Sequence, residues 1–163
     1  MFFMTTFIGN EITYLLPGQL IVTGETLKIS TILGSCVSVC LYDPYNKISG
    51  MNHYLLPLKK GWDDNRFRFG DVSLAYMLDK IMSMGAKKRN LFSCVYGGSS
   101  MFGNFSSYNI GKQNINVAVE FLEFHGIPIQ ERCTGGEMGR KVLFDTSAGS
   151  ITCDFIHGRG LQQ

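Results

Sequence analysis

The chain has 163 residues, of which 45% are hydrophobic and 17% are charged, and its formal net charge is +2 at pH 7. This balance excludes a disordered or fibrous protein, and so small a charge provides no electrostatic footprint for nucleic acid or for an anionic membrane. The length predicts a single domain over residues 1–163, which is large enough to bury a core without a disulfide or a structural metal.

Five cysteines are present, and none of them forms a CxxC pair. An odd number of cysteines in this pattern predicts reduced thiols in a cytosolic protein. The apolar start of the chain lacks the basic residues of a secretion signal, and no run approaches the roughly 18 apolar residues of a membrane span. We therefore expect a cytoplasmic protein that is not embedded in a membrane.

The first part of the chain is typical of β structure. Apolar and β-branched residues predict strands at 20–23, 27–32, 37–42 and 48–56, with a turn at residues 43–46. The charged and aromatic residues of segment 59–69 predict an exposed loop.

Two helices are predicted in the middle of the chain, at 71–84 and 112–125. Each carries apolar residues at positions i, i+4 and i+7, and each is followed by a glycine that can end a helix. Strands are expected after the helices, at 91–96 and 127–133, and a closing hairpin at 140–144 and 150–155. Strands at both ends with helices between them predict an α+β fold, in which mixed β-sheets pack with two main helices.

Cys36 follows a Gly-Ser step just before a predicted strand. Such a turn can present the thiol, and the backbone N–H groups near Gly34 and Ser35 could stabilise an oxyanion. The alternative interpretation is a small core residue, since free cysteines are usually buried.

His53 lies 17 positions after Cys36, on the strand that follows the predicted turn. A hairpin that folds back would place this imidazole beside the thiol, where it could act as the base that a cysteine nucleophile requires and draw the thiol to thiolate. A structural histidine is equally compatible with this spacing. The hydroxyl groups of Ser30 and Thr31, just upstream, could orient the imidazole.

Two double-glycine segments, Gly97-Gly98-Ser99 and Gly135-Gly136, are consistent with tight turns or with the rim of a site. Neither fits a dinucleotide or phosphate loop. The three histidines have no ligand spacing, so no metal site is predicted.

Several motifs occur together and in one order along the chain. They are STILGSCVSVCLYDP (30–44), GMNHYLLP (50–57), GGSSM (97–101), IGKQNI (110–115), TGG (134–136) and GR (139–140). In this combination the chain resembles the chemoreceptor glutamine deamidase family, CheD, over roughly residues 18–150.

The resemblance implies a fold similar to the cysteine hydrolase fold of deamidating cytotoxic necrotizing factor toxins. It also implies hydrolysis of receptor glutamine side chains to glutamate with release of ammonia, without a metal or an organic cofactor. Cys36 would be the nucleophile and His53 its base. The third member of the family's site is a hydroxyl residue shortly before the cysteine, and counting without gaps gives Ser30, with Thr31 adjacent.

The expected partners also follow from the resemblance. Cytoplasmic domains of chemoreceptors would be the substrate, and we take loop 59–68 and the segment with Gly97, Gly98, Ser99 and Met101 as candidates for contacting them. The alternative function is a binding module that regulates a CheC-type chemotaxis phosphatase with little or no catalysis. Hydrolysis of receptor glutamyl methyl esters also stays open, because a thiolate can attack either carbonyl carbon.

Overall fold

The computed structural model describes residues 11–100 and 109–157. Within these residues lie nine strands and two α-helices, and short 3₁₀ helices at Arg66–Arg68 and Lys88–Asn90. The strands are β1 (Ile12–Tyr14), β2 (Leu20–Thr23), β3 (Lys28–Leu33), β4 (Val37–Asp43), β5 (Ile48–Asn52), β6 (Phe92–Gly97), β7 (Ile129–Thr134), β8 (Gly139–Asp145) and β9 (Ser150–Ile156). The helices are α1 (Gly70–Ser83) and α2 (Ile110–Phe124).

The strands form two sheets. A four-stranded sheet has the order β1-β3-β8-β9, and a five-stranded sheet has the order β2-β5-β4-β6-β7. Each sheet contains one parallel pair, β1 with β3 and β6 with β7, while all other pairs are antiparallel. The predicted α+β class with mixed sheets is therefore confirmed.

Strand β4 is buried along its whole length because it is covered on both faces. Its alternate residues Val37, Val39 and Leu41 pack with both helices, whereas Cys40 and Tyr42 pack against the four-stranded sheet. Side chains of successive strand residues point to opposite faces, so the five-stranded sheet forms a middle layer between the helices and the second sheet. This two-sided burial explains the long apolar stretch in this part of the sequence.

Both predicted helices and the closing hairpin are confirmed, with ends that differ by at most two residues. Strand β1 was missing from the sequence-based prediction because it has only three residues and is largely exposed. The predicted strand 48–56 ends early, at Asn52. There the side chain of Asn52 accepts a hydrogen bond from the Val39 N–H (2.8 Å), which interrupts the regular ladder before Tyr54 pairs with Val37.

Segment 59–69 is mostly exposed, as predicted, and its Trp62 is 93% exposed. Its last residues form the first 3₁₀ helix, which leads directly into α1. Across the described ranges, neither helix is long and apolar enough to cross a membrane.

Candidate active site

Cys36 lies in the connection that crosses from the four-stranded sheet to the five-stranded sheet; we call residues 34–36 the nucleophile loop. The three backbone carbonyl groups of this loop all accept hydrogen bonds from residues elsewhere in the fold. The carbonyl of Gly34 is bound by Ser99 N–H (2.9 Å), that of Cys36 by Gly98 N–H (2.8 Å), and that of Ser35 by the Asn114 side-chain amide (3.0 Å). These bonds fix the loop backbone and with it the position of the thiol.

The backbone N–H groups of the nucleophile loop are not used in the same way. Over residues 11–100 and 109–157, no backbone carbonyl accepts a hydrogen bond from the N–H of Gly34, Ser35 or Cys36. The N–H of Cys36 acts on the thiol of the same residue, where it lowers the pKa against the larger effect of burial. N–H groups left open beside a nucleophile have the chemistry of an oxyanion site, which is the role predicted for Gly34 and Ser35.

His53 lies just beyond β5, in a segment whose backbone is held on two sides. Its N–H donates to the Gln19 carbonyl (3.0 Å), and its carbonyl accepts from the Gly18 N–H (2.8 Å). The next residue, Tyr54, exchanges two backbone hydrogen bonds with Val37, at 3.0 and 3.1 Å. Since Val37 directly follows Cys36, this pairing brings residues 53–55, which we call the histidine segment, beside the nucleophile loop.

Thr31 makes the buried side-chain contact with His53. Its Oγ1 lies 2.8 Å from His53 Nδ1 and donates to the Leu15 carbonyl at 2.7 Å. A hydroxyl has only one proton, so when it is given to Leu15 the hydroxyl oxygen must accept from Nδ1–H. The neutral imidazole then carries its proton on Nδ1, and Nε2 has a free lone pair.

Ser30 does not take this position, although counting along the family motif favoured it. Ser30 and Thr31 are neighbours on β3, so their side chains lie on opposite faces of the sheet, and only Thr31 faces His53. The Ser30 hydroxyl is buried and has no hydrogen-bond partner within the described part of the chain. The structure thus brings Thr31 to the imidazole and not Ser30.

Burial controls the charge of both reactive groups. His53 is only 2% exposed, and desolvation lowers its pKa from 6.5 to about 4. Desolvation also raises the pKa of Cys36 above its ordinary value, against the opposing effect of its own backbone N–H. Both directions favour a neutral thiol and a neutral imidazole at pH 7. This differs from the sequence-based expectation of an imidazole that draws the thiol to thiolate before substrate binds.

The buried imidazole makes a prediction for stability. Its pKa is lower in the folded chain than in the unfolded chain, so stability is fully present above pH 6.5 and is lost as the pH falls toward 4. We expect this loss to amount to about 2–3 kcal/mol of the free energy of unfolding. Urea unfolding of the native chain and of His53→Gln, above pH 6.5 and near pH 4, measures it. An equal loss in both proteins would contradict the assignment to His53.

Gly97, Gly98 and Ser99 are buried, so they do not form an exposed loop, and their contact with substrate stays a prediction. They lie beneath the nucleophile loop and support two of its carbonyl groups. Gly97 has a φ of +102°, and a Cβ there would collide with the Cys36 carbonyl oxygen, so only glycine fits. Met101, the fourth candidate, lies outside the described residues.

Two participants were missed in the sequence, Asn114 and the carbonyl of Leu15. Asn114 is fully buried within the apolar stripe of α2, between Gly111 and Ala118. A polar residue in such a stripe is a usable sequence signal. Leu15 offered no such sequence signal, because it takes part only through its backbone carbonyl.

The remaining four cysteines are free thiols outside the nucleophile loop. Cys40 and Cys94 face each other across neighbouring strands and are buried, while Cys133 and Cys153 are half-buried. In the described ranges, no three His, Cys, Asp or Glu side chains cluster in a way that could hold a metal ion.

The structure holds a histidine against a threonine beside the loop that carries a cysteine, at the join of two sheets, and cysteine hydrolases use side chains of these types. A family model described as CheD chemotactic sensory transduction matches residues 55–155. The chain belongs to the CheD family.

Curated relatives agree with this assignment. A protein of Anaeromyxobacter dehalogenans named probable chemoreceptor glutamine deamidase CheD 1 is 38% identical over 143 residues, covering 87% of this chain and 83% of the relative. A probable chemoreceptor glutamine deamidase CheD of Trichlorobacter lovleyi is 36% identical over 151 residues, covering 92% and 91%. Among solved structures, the Bacillus licheniformis hypothetical protein YfiH is similar over 71% of this chain and 49% of that chain, with 16% identity and a TM-score of 0.44.

Proposed function

We propose that this chain is a cytoplasmic enzyme that hydrolyses glutamine side chains of chemoreceptors to glutamate and ammonia. The curated relatives that are named for this activity support it. The observation that carries the proposal is the buried contact between His53 Nδ1 and Thr31 Oγ1 (2.8 Å), because it leaves Nε2, which has no hydrogen-bond partner within the described residues, free to act as a base.

The chemistry proceeds in two halves. His53 Nε2 takes the thiol proton of Cys36 as the sulfur attacks the glutamine carboxamide carbon, and the N–H groups of the nucleophile loop hold the oxyanion. The imidazolium gives its proton to the amide nitrogen, and the C–N bond breaks. Ammonia departs, and the acyl group remains on the Cys36 sulfur as a thioester. Water then attacks the thioester carbon while His53 takes its proton, and that proton returns to the sulfur as the carboxyl product is released.

Thr31 acts in this scheme by holding the ring of His53 in one orientation and one tautomer. Replacing Thr31 with valine keeps the shape but removes the acceptor of Nδ1–H, so we expect kcat to fall about ten- to a hundredfold. Ser30→Ala is the matched control, since its hydroxyl lies on the other face of β3, and its kcat should match the native value. Steady-state rates of ammonia release compare the two. A larger loss in Ser30→Ala than in Thr31→Val would contradict the assignment.

The direct test is incubation of the purified chain with a chemoreceptor cytoplasmic fragment, followed by peptide mass spectrometry to find glutamines converted to glutamate. A sample pretreated with iodoacetamide controls for spontaneous deamidation. A parallel peptide that carries a glutamyl methyl ester separates amide hydrolysis from ester hydrolysis. Conversion only in the untreated sample supports the proposal.

Binding of a CheC-type phosphatase stays a prediction of the family resemblance. The absence of conversion at every receptor glutamine would contradict the deamidase proposal and favour that binding role. Co-purification with such a phosphatase is then the next measurement.

A further inference from the structure

We propose that Asn114 is a positioning residue, which holds the nucleophile loop and the histidine segment at a fixed separation. The inference rests on the proposed function, because it concerns the two groups that carry out that reaction. The side-chain amide nitrogen of Asn114 donates to the Ser35 carbonyl at 3.0 Å and to the Leu55 carbonyl at 2.8 Å. Ser35 is one residue from the nucleophile, and Leu55 is two residues from the base.

Helix α2 is itself fixed against the same region, so Asn114 is attached to a rigid support. Gly111, one turn before Asn114, packs so closely that a Cβ there would lie 2.5 Å from the Gly98 carbonyl oxygen. The hydroxyl of Tyr54, the residue after His53, donates to the backbone carbonyl of Asn114. The first turns of the helix therefore contact both Gly98, which binds the nucleophile loop, and the histidine segment.

The unused half of the Asn114 side chain indicates that its role is not simply to stabilise the core. Its Oδ1 is buried and has no hydrogen-bond partner in the described part of the chain. A buried acceptor without a partner weakens a fold, and an apolar residue at this point of the stripe would avoid that cost. What asparagine provides here is a pair of amide protons directed at two separate segments, which no apolar side chain can supply.

The test removes this bridge while keeping the helix. In Asn114→Ala both donors are lost, but alanine has the highest helix propensity, so the variant should fold. We expect kcat for receptor glutamine conversion to fall about ten- to a hundredfold with KM nearly unchanged, because the reacting groups are displaced while the binding surface is intact. Asn114→Asp, which keeps the size and removes the donors, replaces it if the alanine variant does not fold.

Asn109→Ala is the matched control. Asn109 is the N-cap of the same helix, where its side chain accepts from the Lys112 N–H (3.0 Å). Within the described residues, no hydrogen bond joins this side chain to the nucleophile loop or to the histidine segment. Its loss weakens α2 in general. We expect its kcat to stay within about twofold of the native value.

A second readout needs no substrate and so separates this inference from the proposed function. The pH dependence of Cys36 alkylation by iodoacetamide, followed at its own peptide by mass spectrometry, reports how well the thiol is shielded. In Asn114→Ala the midpoint should fall by about half a pH unit or more, as a loosened loop admits water, and in Asn109→Ala it should not move. If the native chain converts no glutamine, the proposed function fails and this readout still decides the role of Asn114. In an active native chain, a match of either readout to the Asn109→Ala control overturns the inference; in an inactive one, a match of the alkylation midpoint overturns it.

Discussion

Receptor glutamine conversion by a Cys36→Ala variant should fall at least about 10⁴-fold below that of the native chain. Without the sulfur no thioester can form, and His53 alone has no nucleophile to activate. The fold should survive the change, because Cys36 is only half-buried and the hydrogen bonds of its loop use backbone carbonyl groups. Mass spectrometry of the receptor fragment measures conversion, and thermal unfolding measures stability.

Cys153→Ala is the matched control for this variant. Cys153 is also a half-buried free thiol, but it lies on β9 in the four-stranded sheet. Its conversion rate should equal that of the native chain. Residual conversion by Cys36→Ala above about 1% of the native rate would show that another group attacks the amide.

Replacing His53 with glutamine should lower kcat/KM about 10³-fold, which is within the usual contribution of general acid–base catalysis. Glutamine can still reach the Thr31 hydroxyl but cannot accept and return a proton at neutral pH. In the native chain the acid limb of the kcat/KM profile should have its midpoint near pH 4, because burial lowers the pKa of His53 to about 4. An ordinary histidine would place that limb near pH 6.5.

His125→Gln serves as the control for the histidine variant. His125 follows the last residue of α2, where its ring packs against Phe121, outside the site. Its removal should leave both kcat/KM and the pH profile unchanged. An acid limb near pH 6.5 in the native chain would contradict a desolvated base.

Much of the architecture could be predicted because it depends on local patterns. The apolar spacing of the two helices was enough to locate them. The pairing of Cys36 with His53 as nucleophile and base stays a prediction. Ser30 and Thr31 show where such patterns fail, because the choice between them depends on which face of β3 meets the five-stranded sheet. The side chains of Ile29 and Leu33 share the face of Thr31 and lie in one core cluster with Cys40 and Met51 of the five-stranded sheet, so this is the face that meets His53.

The burial of Gly97 and Gly98 was missed for a different reason. Double glycines usually mark exposed turns, but these two are buried because their backbone must approach the nucleophile loop without a Cβ between them. The role of Asn114 was also missed because its contacts are not local. Its partners are backbone carbonyl groups far away in sequence, and no side-chain pattern records them.

The loop that carries Cys36 leaves one sheet at Leu33 and enters the other at Val37. Thr31 therefore belongs to the four-stranded sheet, while His53 is held against strands of the five-stranded sheet. The reactive groups span a joint between two layers, and a small sliding of one layer over the other separates them without breaking either sheet. Activity should thus be a more sensitive gauge of layer alignment than circular dichroism, and should disappear under mild denaturant while the strands are still paired.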